Sequence, residues 1–209
     1  MKVLLLNGSP RAQGCTFTAL CEVEKELKTA GIETEIFSVG NKPIVGCTAC
    51  GHCGRAGDGK CVFGDDTVNL FIEKAHGADA FVFGSPVHYA AATGAVTSLL
   101  DRAFFAGKVA FAQKPGAAIV SCRRGGATAA LEQLNKYFTI SEMPIVSSQY
   151  WNMIHGNTPE EVVQDLEGMQ TMRTLGKNMA WLLKCIEAGK KSGISLPERE
   201  AKVATSFIR

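Results

Sequence analysis

Four of the chain's eight cysteines lie within sixteen residues, in the segment GCTACGHCGRAGDGKC at positions 46–61. Cys47, Cys50 and Cys53 have the spacing C-x2-C-x2-C, and seven residues separate Cys53 from Cys61. Such short spacings suit three corners of a cubane iron–sulfur cluster, and Cys61 could supply the fourth thiolate. They do not form the two separated pairs typical of structural zinc sites. The segment therefore predicts a [4Fe-4S] site, with a metal-free reduced loop and a zinc site as the alternatives.

The overall composition limits where the chain works and what it binds. The apolar run Val3–Leu6 is far shorter than a signal-peptide core, and no run of about 18 apolar residues occurs, so we expect a cytoplasmic protein with no membrane partner. Cytoplasmic thiols stay reduced, which disfavours a disulfide knot. The 22 Lys and Arg nearly balance the 20 Asp and Glu, and they form no basic tract. We therefore expect no nucleic-acid partner.

A second candidate for chemistry is the loop GSPRAQGCTFT at positions 8–18. Backbone N–H groups at the start of the following helix face outward, and the Ser9, Thr16 and Thr18 hydroxyls can donate to a phosphate, with Arg11 adding a positive charge. The loop matches neither G-x-G-x-x-G nor G-x4-G-K-[ST]. This argues against a dinucleotide-binding Rossmann site and against a P-loop.

Two further loops carry weaker signals. In SPVHYAAATG, positions 85–94, proline gives rigidity, small residues let a flat ring approach the backbone, and Tyr89 can form a wall. In SCRRGG, positions 121–126, Gly125 and Gly126 expose backbone N–H groups beside the guanidinium of Arg124. Each loop alone is compatible with an ordinary turn, but both follow predicted strands.

The elements that must position these loops alternate between apolar runs and helical patterns. Five strands are predicted at 2–7, 32–39, 78–84, 116–121 and 144–147. Five helices are predicted at 16–31, 65–77, 93–105, 127–138 and from Pro159 onward. The alternation implies a parallel α/β sheet covered on both faces, with ligands bound beyond the carboxyl ends of its strands. We expect one domain over 1–190, with the cysteine loop inserted after strand 2 at the same rim, and a C-terminal tail over 191–209.

The first two loops carry a family resemblance. Gly8-Ser9-Pro10-Arg11 with Gly14-x-Thr16 resembles the GSPR-x-x-G-N-T phosphate loop of the flavodoxin-like, NAD(P)H-dependent FMN reductase family, and Ser85-Pro86-Val87-His88-Tyr89 resembles its SP-x-Y ring-binding loop. The resemblance covers about residues 1–150. It implies a three-layer α/β/α fold with a five-stranded parallel sheet in the order 2-1-3-4-5. Cys15 stands where the family pattern has Asn, which changes one side-chain contact to the phosphate or ribityl chain.

The resemblance also implies an FMN site at the rim of the sheet. Residues implied at the phosphate end are Ser9, Arg11, Cys15, Thr16 and Phe17. Residues implied beside the ring are Pro86, Val87, His88, Tyr89, Ser121, Arg124, Gly125 and Gly126. Arg124 is the candidate for stabilising negative charge on reduced flavin.

The cysteine segment resembles the compact motif of the iron-sulfur flavoproteins, a branch of the same family. In that branch FMN and a [4Fe-4S] cluster share one subunit, and adjacent subunits complete the site. The resemblance thus implies Cys47, Cys50, Cys53 and Cys61 as cluster ligands and a homodimer or dimer of dimers.

These inferences predict an FMN-dependent oxidoreductase that passes electrons from NAD(P)H or a ferredoxin-like donor to an acceptor. No second nucleotide-binding unit is visible, so NAD(P)H would lie transiently over the flavin face. The alternatives are a plain FMN or quinone reductase with a metal-free cysteine loop, a non-enzymatic flavin electron carrier, and a metal- or redox-sensing module.

Overall fold

The computed structural model describes residues 1–64, 67–201, 203–205 and 207. The strands in this part of the chain are β1 (Lys2–Asn7), β2 (Glu33–Ser38), β3 (Ala80–His88), β4 (Ala91–Ala92), β5 (Gly116–Cys122) and β6 (Met153–His155). Five of them run parallel in the order β2-β1-β3-β5-β6, while β4 pairs antiparallel with β3. Counted among the parallel strands alone, this order is 2-1-3-4-5, and the predicted fold class is confirmed.

Helices cover both faces of the sheet. They are α1 (Cys15–Thr29), α2 (His52–Ala56), α3 (Thr67–His76), α4 (Gly94–Ala106), α5 (Lys108–Phe111), α6 (Ala127–Thr139), α7 (Pro159–Val162) and α8 (Leu166–Lys191). Residues of α1 and α8 form one buried apolar cluster, whereas residues of α3, α4 and α6 belong to the other. The result is the predicted three-layer arrangement.

The central strand β1 shows why the sheet is buried on both sides. Leu4 and Leu6 lie in the cluster on the α4 side, while Val3 and Leu5 lie in the cluster on the α1 side. Successive side chains of a strand point to opposite faces, so a strand covered on both faces must be apolar at every position. All four side chains are fully buried.

The predicted strand at 144–147 is wrong. That segment meets only the first residue of β5, through a single bridge between Gly116 and Ile145. The chain then turns toward α8, where Ser148 Oγ donates to the carbonyl of Thr171 at 2.7 Å. It returns as β6, which pairs with the end of β5. The fifth parallel strand is therefore Met153–His155, and the segment 144–147 makes a single bridge.

The last predicted helix is also two helices. The first, α7, has Thr158 as its N-cap and ends at Val162. A new start follows at Asp165, whose carboxylate accepts from Gly168 N at 2.9 Å and caps α8. The predicted helix start at Asp65-Asp66 lies outside the described residues, and the described helix begins at Thr67.

Two sequence expectations concern the chain as a whole. No helix in the described part of the chain is both long and apolar enough to cross a membrane. The described residues beyond Lys191 contain no helix or strand, and Arg199 forms an ion pair with Glu142 at 2.6 Å. The division into a domain over 1–190 and a tail over 191–209 stays a prediction.

Candidate functional site

The loop after β1 is held in place by its own backbone and by two neighbouring elements. Gly8 N donates to Gly84 O at 2.8 Å, and Ser9 N donates to the buried Asn7 Oδ1 at 3.2 Å. A Cβ on Gly8 would overlap the side chain of Val96 and lie 2.5 Å from Gly84 O. Only glycine fits there, because its neighbours approach the backbone too closely for a side chain.

The start of α1 has the properties of an anion site. Its N-cap Gly14 has no side chain to cap the first turn, and that turn contains no acidic residue. The free N–H groups and the helix dipole therefore favour a negative group at this end. Thr16 Oγ1 lies 2.8 Å from Ser121 Oγ, and both residues are buried. This hydrogen bond joins the loop after β1 to the end of β5.

A cleft of about 330 Å³ opens at this edge of the sheet. It is lined by Ser9, Pro10, Arg11, Cys15, Thr16, Pro86, Val87, His88, Ser121, Cys122, Arg123, Gly156 and Asn157. The structure thus brings most of the predicted phosphate-end residues together with part of the predicted ring loop and Ser121. They converge because β1, β3 and β5 are neighbours whose carboxyl ends share one rim.

Other predicted residues do not line this cleft. Phe17 is half-buried on α1, while Tyr89 and Arg124 are exposed. Of the two adjacent arginines, Arg123 lines the cleft, so the electrostatic role predicted for Arg124 stays a prediction.

Gly125 and Gly126 also lie outside the cleft lining, but Gly126 has a clear structural reason to be glycine. Its φ is +88°, and a Cβ there would lie 2.7 Å from Ala90 Cα. Gly126 therefore sets how closely the loop after β5 approaches the segment after β3. Tyr89 and Ala90 themselves have positive φ values of 50° and 59°. This pair of loops is tightly shaped beside the cleft.

Sequence reasoning missed the residues that β6 brings to the cleft. Gly156 and Asn157 follow β6, and the misplaced fifth strand hid the fact that they end at the same rim. Cys15 Sγ lies 3.7 Å from Gly156 O, so the residue that replaces the family's Asn contacts this loop. At the cleft wall, Cys122 Sγ lies 3.4 Å from His155 Nδ1. Burial raises the pKa of the Cys122 thiol.

The four cysteines of the 46–61 segment line one separate cavity of about 150 Å³. Gly51 and Gly57, with φ of 68° and 64°, bound the short helix α2 within the loop. The side chain of Asn69 binds the backbone of Cys61 on both sides. Its Oδ1 accepts from Cys61 N at 2.8 Å, and its Nδ2 donates to Cys61 O at 2.9 Å. A backbone N–H from His52 lowers the pKa of the exposed Cys50 thiol.

The donor set of this cavity is four cysteine thiols, the ligand type of iron–sulfur clusters. A cubane cluster needs four thiolates around one cavity, and all four cysteines of the motif line this one. The residues present therefore fit an iron–sulfur cluster.

The cysteine loop follows β2, and its cavity shares no lining residue with the rim cleft. The cavity lies against Arg102, Phe105 and Ala106, in the last turns of α4. That helix begins at the rim, where its N-cap Thr93 donates to Gly8 O at 3.1 Å, and it then runs away from the cleft. At 1.5 Å per residue, Phe105 lies about 18 Å along the axis from Thr93.

With both sites described, comparison with known proteins identifies the family. The sequence model described as NADPH-dependent FMN reductase matches residues 1–158. The chain belongs to this family. Its curated relatives include two iron-sulfur flavoproteins of Methanocaldococcus jannaschii, both 31% identical. One alignment covers 90% of this chain and 100% of the relative, and the other covers 83% and 92%. The match supports the iron-sulfur flavoprotein branch and makes the chain a flavin-dependent oxidoreductase.

Solved structures show the same fold at low sequence identity. RosB with bound 8-demethyl-8-formylriboflavin-5'-phosphate is 16% identical, with a TM-score of 0.68 over 100% of this chain and 94% of the other. A flavodoxin from the domain Archaea is also 16% identical, with a TM-score of 0.60 over 88% of this chain and 99% of the other. These similarities confirm the flavodoxin-like fold.

The cleft also fits the FMN that the family implies. An uncapped helix start, the Ser9 and Thr16 hydroxyls and the Arg11 guanidinium together suit a phosphate. The apolar parts of Pro86 and Val87 face the same space and suit a flat ring. The phosphate would thus lie at the start of α1 and the ring toward β3 and β5.

Proposed function

We propose that this chain is an FMN-dependent oxidoreductase that takes electrons from NAD(P)H or a ferredoxin-like donor and passes them through FMN and a [4Fe-4S] cluster to an acceptor. One observation carries the proposal. A single chain has a rim cleft whose residues suit a phosphate and, separately, a cavity lined by all four cysteines of one motif. The relatives named iron-sulfur flavoproteins support the pairing of these two sites.

The chain's own residues would bind and orient the flavin. Ser9 and Thr16 would donate to the phosphate, and the positive charge of Arg11 would offset its negative charge. The hydrogen bond between Thr16 and Ser121 keeps the two loops at a constant separation. Bound FMN supplies hydride acceptance and one-electron release, which the side chains alone do not.

Cys47, Cys50, Cys53 and Cys61 would hold the cluster. Their loop is attached to α4 and α3, so the cavity has a rigid floor although most of the loop is exposed. The cluster's chemistry is the transfer of single electrons. The protein contributes the ligand geometry and the charge around the thiolates.

The separation of the two sites supports a homodimer or a dimer of dimers. The α4 residues that line the cysteine cavity lie about 14–20 Å along the helix axis from Thr93, which contacts the loop after β1. An exposed cavity on the flank of one subunit is better placed to serve a flavin of a second subunit than its own. Phe105, which lines the cavity, is 70% exposed and offers apolar surface for such a contact.

The decisive experiment is anaerobic purification followed by measurement of flavin, iron and acid-labile sulfide per chain. We expect about one FMN, four iron and four sulfide. Cys50→Ser should lose most of the iron and keep the FMN, whereas Cys185→Ser, at an exposed cysteine on α8, should keep both. Failure of the purified chain to bind added FMN would refute the flavin site.

One observation favours a second candidate. In the described residues the cysteines are not drawn together as ligands of one ion. FMN without iron, even after anaerobic reconstitution with iron and sulfide, would identify the chain as a plain NAD(P)H-dependent FMN or quinone reductase with a metal-free cysteine loop.

A further inference from the structure

Arg102 is the unusual residue of helix α4. Its side chain is 1% exposed and is the largest of the fully buried side chains. Arginine is almost never fully buried unless its charge and its donors are satisfied. Its neighbours on the same helix, Leu99 and Ala103, are ordinary core residues. The position thus holds a buried cation where the helix pattern alone would place an apolar side chain.

The donors of Arg102 reach both ends of the cysteine loop. Nη1 donates to Val45 O and Nη2 donates to Phe63 O, each at 3.2 Å. The guanidinium also lies over the Phe63 ring, 5.0 Å from its centroid. Val45 comes just before the motif and Phe63 just after it, so one side chain closes the loop onto α4.

A third donor of Arg102 reaches one of the four cysteines. Nε lies 3.2 Å from Cys61 Sγ, and Arg102 itself lines the cysteine cavity. The guanidinium keeps its charge at all physiological pH values and has a planar set of donors, so it can orient a thiolate as well as attract it. The contact therefore acts on charge and on geometry together.

We infer that Arg102 is a positioning residue of the cysteine cavity: it ties both ends of the loop to α4, orients Cys61 and raises the reduction potential of the cluster held there. The inference rests on the proposed function. Reduction adds one negative charge to the cluster. A buried cation and an N–H···S bond both stabilise that added charge, and these are among the factors that set cluster potentials.

The test compares three variants with the wild type, after anaerobic reconstitution with iron and sulfide. Arg102→Gln removes the positive charge and the planar set of guanidinium donors. Arg102→Lys keeps the positive charge and loses the planar set of donors. Arg55→Gln is the matched control, because Arg55 is an exposed arginine of the same loop that donates to Cys50 O and not to a thiol. The measurements are iron and FMN per chain and the cluster potential, obtained by redox titration followed by electron paramagnetic resonance.

We expect Arg102→Gln to retain FMN and to lose most of its iron. In the cluster that remains, the equilibrium constant for one-electron reduction should be at least tenfold lower. That loss is about 59 mV for a one-electron couple. Arg102→Lys should recover part of the potential but not the full iron content, because one ammonium cannot reach three acceptors in a planar fork. Arg55→Gln should keep its iron and shift the potential much less than Arg102→Gln, because Arg55 is exposed and water screens its charge.

The outcomes separate this inference from the function on which it rests. A wild-type chain that binds FMN but no iron would overturn both the cluster and the role of Arg102. A wild-type cluster whose potential and iron content are unchanged in both Arg102 variants would overturn the role of Arg102 alone. If Arg102→Gln loses FMN as well as iron, the substitution has damaged the fold. The test then rests on Arg102→Lys: a lowered iron content with FMN retained supports the role of Arg102, and an unchanged iron content and potential overturn it.

Discussion

Gly126 offers a sharp test of how the loops beside the cleft are shaped. We expect Gly126→Ala to destabilise the protein and weaken FMN binding. A φ of +88° is disfavoured for any residue with a Cβ, at a cost of about 1–2 kcal/mol. The added methyl would lie 2.7 Å from Ala90 Cα and 2.9 Å from Ala90 Cβ, and such overpacking costs about 1–3 kcal/mol.

The two costs together make about 2–5 kcal/mol of unfolding free energy. Since 1 kcal/mol shifts the melting temperature of a protein of this size by about 2–4 °C, the lower bound is a decrease of about 4 °C. Relief of the overlap would move the segment around Ala90, which lies next to Tyr89 in the loop at 85–94. FMN affinity should therefore decrease together with the melting temperature.

The matched control is the preceding residue. Gly125 has no positive φ, and a Cβ there would meet nothing within 4 Å. Gly125→Ala should therefore melt within about 2 °C of the wild type, because exposed substitutions usually change stability by less than 0.5 kcal/mol. Thermal unfolding and FMN fluorescence titration measure both quantities. Equal melting temperatures and equal affinities for the two variants would refute the steric argument.

Other predictions test single contacts. Cys15→Asn should bind FMN about fivefold more tightly than Cys15→Ala in a fluorescence titration, because one regained hydrogen bond contributes about 1 kcal/mol. Thr16→Val and Ser121→Ala should each cost about 1–3 kcal/mol in chemical unfolding by leaving a buried hydroxyl unpaired, while the double variant should cost clearly less than their sum. Two lysines lower the pKa of Glu35, so its contribution to stability is complete above pH 4.5 and is lost as the pH falls below that value. Glu35→Gln should flatten this acid-side decrease, and an unchanged pH profile would argue against the ion pairs.

The sequence predicted well those elements whose pattern is local. The strand at 2–7 is apolar at every inner position because helices cover both sides, and this pattern is visible in the residues alone. The phosphate loop was equally recognisable, because its glycines and hydroxyls lie next to each other in the chain. Strand β3, in contrast, continues to His88, so part of the predicted ring loop is extended backbone.

The sequence predicted poorly those features that depend on distant partners. The predicted fifth strand makes a single bridge to β5, and the next residue, Ser148, bonds to Thr171 in α8, a partner 23 residues away. The same error hid Gly156 and Asn157 from the predicted cleft. No local pattern at 144–147 distinguishes a strand from a segment that forms one bridge to β5 and then turns away from the sheet. Strands at the edge of a sheet are the hardest to predict from sequence, because they pair with a neighbouring strand on one side only.

The position of the cysteine loop shows how one helix can serve both sites. The spacing of the cysteines predicts what they could bind, but not where the loop folds back. Its place is set by α4: Thr93 and Val96 hold the phosphate loop at one end of the helix, while Arg102 holds the cysteine loop toward the other. One residue in the sequence indicates this arrangement: Arg102 lies three residues after Leu99, on the apolar side of a predicted helix. A buried cation beside a cysteine-rich loop explains why such a residue belongs there.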